Sequence, residues 1–465
     1  RVEVPFGKRN LEGFVMSISN DRRDDIDLKN IIRLVDDYPV LNKELLELGK
    51  YMRGVTLASL MSCYSAMLPK ALKAKSSVNI NKKFDKYVRL NKDVNLSLIK
   101  LNTTQSIIIS KFQDIDVIRK KDLTSISVSS VNTLINKGIL LEEEREVFRY
   151  KLEKSEKKNF NLNKSQEEVF LKVKESINSF NVFLLHGITG SGKTNVYMKL
   201  IEEVIKNGKV AIFLVPEISL TPQIINRFTS YFDRIAVLHS RLSDSEKYDE
   251  WRKINEGKVD IVIGARSAVF APLNNVGIII VDEEHSQSYK QENTPRYNTK
   301  DIAKQRCIYH NCPLVLGSAT PTMESYSLAL KGSYTLLELS NRYNGKDPVI
   351  QIIDMNKEFR KTNDYFSTTL IEEIKSTISK GEQVILFLNK RGYSSVVTCK
   401  NCGYVEKCPN CDISLTYHKS SNMLRCHYCG YAMRKEKYCK SCGEELKEYG
   451  LGTEKVEEAL SELIP

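Results

Sequence analysis

The sequence predicts an α/β protein. Doubly wound parallel sheets fill its second half, a cysteine-rich insert breaks them late in the chain, and smaller β-rich and helical units stand in front. Three observations predict this. From Phe160 onward, the apolar β runs Val182–Leu185, Val210–Val215, Ile261–Ile263, Val276–Val281 and Leu314–Leu316 follow one another, most of them separated by helical stretches, the texture of a sheet buried on both faces. A Gly-x-x-x-x-Gly-Lys-Thr string follows one of those runs directly. Eight of the 11 cysteines lie between Cys399 and Cys442 as four Cys-x-x-Cys pairs.

Size and composition bound the rest. At roughly 100–200 residues per domain, 465 residues make about three or four domains. An apolar fraction of 41% suffices for packed cores and excludes wholesale disorder. The net charge of +12 and pI of about 9.0 suit a polyanionic partner such as nucleic acid, or simply a lysine-rich proteome. No apolar run reaches the ~18 residues of a membrane span, so no membrane partner is expected. Arg1–Lys8 has neither Met nor a signal-peptide core. Both ends read as cuts, and the chain reads as a fragment of something longer. Without a secretory signal, clustered cysteines indicate metal rather than disulfides.

The elements follow in order. Val2, Val4 and Phe6 alternate, Gly7-Lys8-Arg9-Asn10 turns, and Gly13–Ile18 runs on as a strand. Leu45, Leu48 and Met52 give Leu41–Met52 helical spacing. Between Lys70 and Lys100, the cations Lys70, Lys73, Lys75, Lys82, Lys83, Lys86, Arg89, Lys92 and Lys100 face only Asp85 and Asp93. That run is either a solvated linker or a phosphate-contacting surface. Helical stretches at Thr104–Phe112, Lys120–Ile126 and Ser129–Lys137, then a β-rich tail Ile139–Tyr150, suggest a winged helix. Its third helix would offer Ser129, Ser130, Asn132, Thr133, Asn136 and Lys137 to DNA, although such modules also dock proteins. The polar run Lys151–Lys158 reads as a linker. After Gly332 a second α/β unit is expected, with Val384–Leu388 its clearest strand.

The chemistry lies in three motifs. Gly187-Ile188-Thr189-Gly190-Ser191-Gly192-Lys193-Thr194 sits between a strand and a helix. Its glycines let backbone N–H groups turn around phosphates, Lys193 reaches the β/γ-phosphates, and Thr194 ligates Mg²⁺. Ile278-Ile279-Ile280-Val281-Asp282-Glu283-Glu284-His285 delivers acids to the sheet's carboxyl edge. There Asp282 would hold Mg²⁺, and Glu283 would orient and deprotonate the attacking water. The alternative is an ordinary charged strand end. Lys193, Asp282 and Glu283 together make a site that hydrolyses a nucleotide, ATP with Mg²⁺, on a P-loop, RecA-like motor lobe. In the third motif, each of the pairs Cys399/Cys402, Cys408/Cys411, Cys426/Cys429 and Cys439/Cys442 can grip a tetrahedral metal through two thiolates. Two pairs complete one site, so eight thiolates make two zinc sites. A stretch this polar would take its folding energy from metal. His418 and His427 are spectators, because the thiolates already complete the count.

Several strings carry a family resemblance. Asp282-Glu283-Glu284-His285 is similar to the D-E-x-H box of superfamily 2 helicases. Gly317-Ser318-Ala319-Thr320 resembles their S-A-T motif, and Leu162-Asn163-x-x-Gln166 looks like their adenine-reading glutamine motif. More narrowly, Val4–Arg9, Leu214–Gln223, Gly264–Leu273, Ser288–Tyr297, Leu386–Tyr393 and Gly452–Leu460 resemble, in order, strings of the primosomal protein N′ (PriA) family of bacterial replication-restart helicases. The resemblance implies that Cys399, Cys402, Cys439 and Cys442 share one zinc, and Cys408, Cys411, Cys426 and Cys429 the other. It also implies that Ser288–Tyr297 is an aromatic-rich loop sensing single-stranded DNA. Tyr289 and Tyr297 would offer stacking faces there and Lys290 and Arg296 charge, while Ser318 and Thr320 couple nucleotide state to DNA. The other reading of that loop is a solvated turn. Where relatives read His-Ala-Arg-Asp, this chain has Asn298-Thr299-Lys300-Asp301, which keeps the basic charge and loses the histidine.

The expected layout is a β-rich 3′-DNA-end-binding domain with linker helix (1–68) and a winged helix (69–155), then helicase lobe 1 (156–331) and the start of lobe 2 (332–397). The two-zinc module (398–446) and more of lobe 2 (447–465) follow. The resemblance implies an ATP-dependent 3′→5′ DNA helicase that binds and remodels abandoned replication forks, promotes primosome assembly and helps reload the replicative helicase. It implies forked and single-stranded DNA, primosome proteins, single-stranded DNA-binding protein and a helicase loader as partners, for a monomer in the cytoplasm at the nucleoid. The alternatives are a non-enzymatic fork-binding scaffold using nucleotide as a structural switch, and a restriction-type or chromatin-remodelling translocase, which gives no reason for two zincs. The family's arginine fingers resemble Q-x-x-G-R-x-G-R, downstream of the G-T-E-K string, whereas the last arginine here is Arg434. The chain is therefore expected to be a poor motor that still binds forks.

Overall fold

The computed structural model describes residues 1–20, 28–36, 38–74, 80, 82–96, 99–113, 115–150, 152, 160–342, 349–354, 366–387, 396–399, 401–411, 413–418, 421–426, 429–449 and 453–463. The chain divides into two compact units, Arg1–Asp347 and Pro348–Pro465. Among the described residues, no helix is long and apolar enough to cross a membrane.

The first unit opens with a small antiparallel sheet of β1 (Val2–Phe6), β2 (Arg9–Gly13) and β3 (Arg33–Leu34), with β1 in the middle. The strand expected over Gly13–Ile18 ends at Gly13, and among the described residues no strand pairs with the segment beyond it. Helices α1 (Lys43–Thr56) and α2 (Leu60–Met67) follow, each N-capped by a side chain, Asn42 and Ser59 respectively. Next comes a compact group of β4 (Phe84–Leu90), α3 (Thr103–Ser110), β5 (Val117–Arg119), α4 (Lys120–Thr124), α5 (Val128–Asn136) and β6 (Leu140–Glu146). The three helices close over Val88, Ile108, Leu123, Val131 and Leu134, against a sheet ordered β5-β4-β6. Lys82, Lys86 and Arg89 pair with Glu146, Glu142 and Glu143 at 3.6, 2.8 and 4.0 Å. Such exposed pairs add little stability, but they engage three cations of the basic run that the sequence offered to phosphate. Ser129, Asn132, Asn136 and Lys137 of the third helix and its end are exposed. Ser130 is buried against the capping hydroxyl of Ser127 and is not available to DNA.

The motor sheet is wholly parallel. Its strands are β7 (Val182–Gly187), β8 (Val210–Leu214), β9 (Ile235–Leu238), β10 (Ile261–Gly264), β11 (Val276–Val281), β12 (Leu314–Ser318) and β13 (Thr335–Leu339), ordered β13-β7-β12-β11-β8-β10-β9. Alternation along the strands sorts the core onto two faces. Phe183, Leu185, Phe213, Ile278 and Ile280 pack under α6 (Lys164–Lys174), α7 (Lys193–Lys206) and α8 (Pro222–Thr229). Leu184, Leu214, Ile279, Val281 and Leu316 pack under α9 (Asp244–Asn255) and α10 (Thr299–His310) on the opposite face, and that core continues without a break into α1 and α2. Helix α11 (Met323–Leu330) connects β12 to β13.

Strand β13 corrects the expected boundary at residue 331. Thr335–Leu339 pairs in parallel with β7 and belongs to the first sheet, not to a second. The strand expected over Val384–Leu388 is not formed either. Val384–Phe387 carries no regular structure and has no partner strand among the described residues, and Leu388 lies outside them. The second unit holds α12 (Thr368–Ser379), β14 (Val396–Cys399), β15 (Thr416–His418), β16 (Met423–Arg425), β17 (Ala432–Arg434), β18 (Leu446–Tyr449) and α13 (Thr453–Leu463). Strands β14 and β18 pair antiparallel, and β15-β16-β17 form a small meander.

Candidate nucleotide and metal sites

Strands β7, β12 and β11 lie side by side and parallel, so their carboxyl ends present three loops at one edge, the usual place for a ligand in such a sheet. The loop after β7 is Gly187–Gly192. Gly190 and Gly192 have φ of +79° and +82°, a left-handed conformation that costs other residues about 1–2 kcal/mol. The Ile188 N–H bonds the Leu339 carbonyl at 3.2 Å, so the late strand β13 braces the loop. The Lys193 Nζ donates to the Gly187 carbonyl at 2.6 Å and bridges the loop's mouth. Thr194 follows in the first turn of α7. The Ser191 Oγ is buried without a hydrogen-bond partner among the described residues, and a Cβ at Gly190 would meet open space. Thr189 and Gly190 are exposed. This cradle fits a phosphate chain.

Gln166 behaves differently from the sequence expectation. It is fully buried; its Oε1 accepts from the Asn163 N–H at 3.1 Å in a capping box, and its Nε2 donates to the Ser191 carbonyl at 2.8 Å. Both ends of the amide are therefore committed to protein, and its first task is to brace the loop. A Cβ at Gly192 would lie 2.3 Å from that Nε2.

Asp282 and Glu283 leave the end of β11. Asp282 is half-buried, and one of its oxygens accepts from the Tyr197 hydroxyl at 3.0 Å. Burial and then the adjacent Glu283 charge push its carboxyl up to about 6, against the pull of Tyr197 and Lys193. Glu283 takes φ +48°, a left-handed conformation uncommon for a non-glycine, at the turn after β11. Its Oε2 lies 3.5 Å from the Nδ1 of His285. That same Nδ1 is 2.7 Å from the Ser318 Oγ at the end of β12, and the Ser318 Oγ accepts from the Thr320 N–H at 2.9 Å. The acidic box and the Gly317–Thr320 string are thus joined directly. Glu284 is a buried hub: it accepts from Lys300 at 2.6 Å, from the Thr322 N–H at 2.6 Å and from the Ser325 hydroxyl at 2.9 Å. Although burial opposes its charge, these partners hold its carboxyl below the ordinary range. Lys300, the basic residue of the Asn298–Asp301 string, therefore serves Glu284.

The loop at 288–297 needs correction. Tyr289 and Tyr297 are 1% and 3% exposed and offer no face to a base. The Tyr289 hydroxyl donates to the carbonyls of Asp282 at 2.6 Å and Leu214 at 3.1 Å, while the Tyr297 ring packs edge-on against Phe270. Arg266 fastens the loop through the carbonyls of Ser288 and Lys290 at 3.2 and 2.8 Å. Lys290 and Arg296 are exposed, as is Thr320. Sequence reasoning missed Tyr197, Arg266 and the role of Glu284. Only Tyr197 carries a local signal, one helical turn after Lys193.

In the second unit the eight thiols gather into two groups, Cys399, Cys402, Cys439 and Cys442, and Cys408, Cys411, Cys426 and Cys429. Within each group the sulfurs lie within 4.8 Å of one another. Pairs at 3.4–3.5 Å approach the ~3.8 Å that a tetrahedron with Zn–S of about 2.3 Å requires. Three of the four Cys-x-x-Cys turns end in a left-handed glycine (Gly403, Gly430 and Gly443) that folds the chain back toward its first cysteine. The donor set fits zinc. His427 lies outside the described residues.

Family profiles described as "DEAD/DEAH box helicase", "3'DNA-binding domain (3'BD)" of PriA and "PriA DNA helicase Cys-rich region (CRR) domain" match residues 163–328, 1–69 and 408–434. Replication restart protein PriA of Bacillus subtilis is 40% identical over 100% of this chain and 67% of its own length. The proteins of the same name from Synechocystis and Chlamydia pneumoniae are 41% and 44% identical, over 73% and 64% of this chain and 42% and 41% of their own lengths. A helicase motor, a 3′-DNA-binding front and a cysteine-rich insert occur here in one order and at this identity along the whole chain, and so the chain belongs to the replication restart protein PriA family.

Proposed function

We propose that the chain is the DNA- and nucleotide-binding part of an ATP-dependent 3′→5′ DNA helicase that recognises and remodels abandoned replication forks. The observation that carries this is the meeting of Lys193, Asp282 and Ser318 at one sheet edge, with Ser318 tied to the acidic box through His285. When bound, ATP with Mg²⁺ supplies the phosphoryl group whose transfer drives such a motor. Lys193 would contact the β/γ-phosphates with the backbone of Gly187–Gly192, Thr194 and Asp282 would hold Mg²⁺, and Glu283 would hold and deprotonate water. Gln166 would reach adenine only by loosening one of its protein bonds.

A cleft of about 720 Å³ suits the single strand. It lies between α2 with the following turn and the motor lobe, and Lys70, Lys73, Lys247 and Arg266 line it together with Glu217 and Asp244; Asp244 pairs with Lys70 at 3.2 Å. Exposed Lys290 and Arg296 stand on the loop beside it and would add phosphate contacts. The group β4–β6 suits a winged helix, with Asn132, Asn136 and Lys137 as its open face. Two zinc ions would hold the cysteine module. Partners would be forked and single-stranded DNA, primosome proteins, single-stranded DNA-binding protein and a helicase loader, for a monomer in the cytoplasm at the nucleoid. The test is fork binding and ATP turnover on forked and blunt duplexes at matched salt. Tight fork binding with turnover stimulated by single-stranded DNA supports the proposal. Fork binding with turnover indifferent to DNA, even after the chain is extended to the length of its relatives, favours a scaffold that uses nucleotide as a switch.

A further inference from the structure

Asp282 is clamped from three sides. Its N–H bonds the Leu214 carbonyl at 2.8 Å, its carbonyl accepts from Tyr289 at 2.6 Å, and its Oδ1 accepts from the Tyr197 hydroxyl at 3.0 Å. Tyr197 is fully buried on α7, its ring 5.7 Å from that of Phe213, which stacks on Phe228 at 4.8 Å. The hydroxyl reaches the carboxylate only by crossing the end of β12 at Gly317. A Cβ there would lie 1.7 Å from the Tyr197 oxygen and 2.9 Å from its Cζ. Non-bonded atoms never come so close, so a side chain at 317 would force the Tyr197 hydroxyl away from the carboxylate or shift the strand.

We propose that Tyr197 is a positioning residue that fixes which oxygen of Asp282 is left to face the metal, and that Gly317 is glycine to let its hydroxyl through. This rests on the reading of Asp282 as a magnesium ligand. With Oδ1 held by a donor from the phosphate-loop helix, the carboxylate cannot rotate freely, and its orientation is set before any metal arrives. The glycine that opens the Gly317–Thr320 string would thereby gain a reason of its own. It joins β12 to the metal site sterically, while Ser318 joins it through His285. A structural reading exists beside this one: a buried hydroxyl simply finding an acceptor. The two differ in what a metal would feel.

The experiment measures Mn²⁺ affinity of the full chain with ADP by electron paramagnetic resonance, beside ADP affinity without metal and thermal melting. Tyr197→Phe is expected to weaken Mn²⁺ about tenfold, the scale of one hydrogen bond to a charged group, with metal-free ADP affinity unchanged. Asp282→Asn is the control. If it leaves Mn²⁺ affinity intact, the magnesium-ligand reading falls and this proposal falls with it. If it weakens Mn²⁺ and Tyr197→Phe does not, only the positioning role is overturned. Should Tyr197→Phe melt early, Gly317→Ala decides. Alone it should cost the same metal affinity, by displacing the hydroxyl, and on top of Tyr197→Phe it should add less than a further twofold. Fully additive losses would overturn the proposal.

Discussion

At the scale of single residues, the phosphate loop makes the sharpest predictions. Lys193→Ala is expected to abolish ATP hydrolysis and leave fork binding largely intact, because the cations lining the cleft are elsewhere. Measured in a chain extended through the family's arginine string, Glu283→Gln should keep nucleotide binding and lower turnover by about 10²–10⁴-fold, the usual worth of a general base. Steady-state hydrolysis and fluorescent-ADP titration separate the two, and native turnover by the Glu283 variant would remove it from that role. Gly192→Ala should cost about 1–2 kcal/mol through its left-handed backbone, and more if Gln166 cannot retreat from the new Cβ; chemical denaturation reads this directly. That Lys193, Asp282 and Glu283 would meet at one sheet edge was legible, because phosphate chemistry restricts residue type and spacing at once. Tyr197 and the fates of Tyr289 and Tyr297 were not. An aromatic side chain fits a stacking platform and a packed core equally well, and only burial decides between them.

At the scale of elements, the strands with continuous apolar runs were readable, since burial on both faces leaves no polar alternation. Strand β13 was not. Thr335–Leu339 sits at the sheet edge, where Thr335 and Glu338 stay exposed and break the run. Val384–Phe387 failed in the opposite sense. Its apolar run suits a strand, but no neighbouring strand among the described residues pairs with it, and Ile385 and Phe387 remain 92% and 86% exposed. The cysteine pairs were legible as zinc ligands from spacing alone, but which pairs share a site is a tertiary fact. The nested grouping predicts two zincs per chain. Replacing Cys408 and Cys411 with Ser should remove one and leave the Cys399 group its own, as metal analysis by mass spectrometry would show. Loss of both on this change, or retention of both, would contradict independent sites. Chelation should unfold the module, because its apolar core, Val397, Leu415, Leu424 and Leu446, is too small to persist alone.

At the scale of the molecule, the front of the chain is fastened to the motor by a buried ion pair. On α10, Arg306 donates to both oxygens of Glu44 on α1 at 2.6 and 2.8 Å and to the carbonyls of Val269 and Ala271, while His310 lies 2.9 Å from Glu44. Burial alone would raise the Glu44 carboxyl, but the Arg306 charge and the neighbouring His310 outweigh it and bring it to about 2. A carboxyl depressed from its ordinary 4.5 contributes stability that is complete above pH 4.5 and fades as pH falls toward 2. Glu44→Gln should therefore destabilise unit 1 by about 3 kcal/mol at pH 7, with the gap to the native chain narrowing between pH 4.5 and 2.5 in denaturant titrations. A gap constant over that range would mean that Glu44 is not ionised in place. The uninterrupted core that runs from Leu45 and Met52 through Ile302 and Cys307 into the sheet has a further consequence. The 3′-DNA-binding region and the motor, which the sequence separates by the group at 69–155, share this core and are expected to unfold together. Cutting the chain there would yield two sticky halves rather than two domains, and scanning calorimetry should find α1, α2 and the motor lobe melting as one transition.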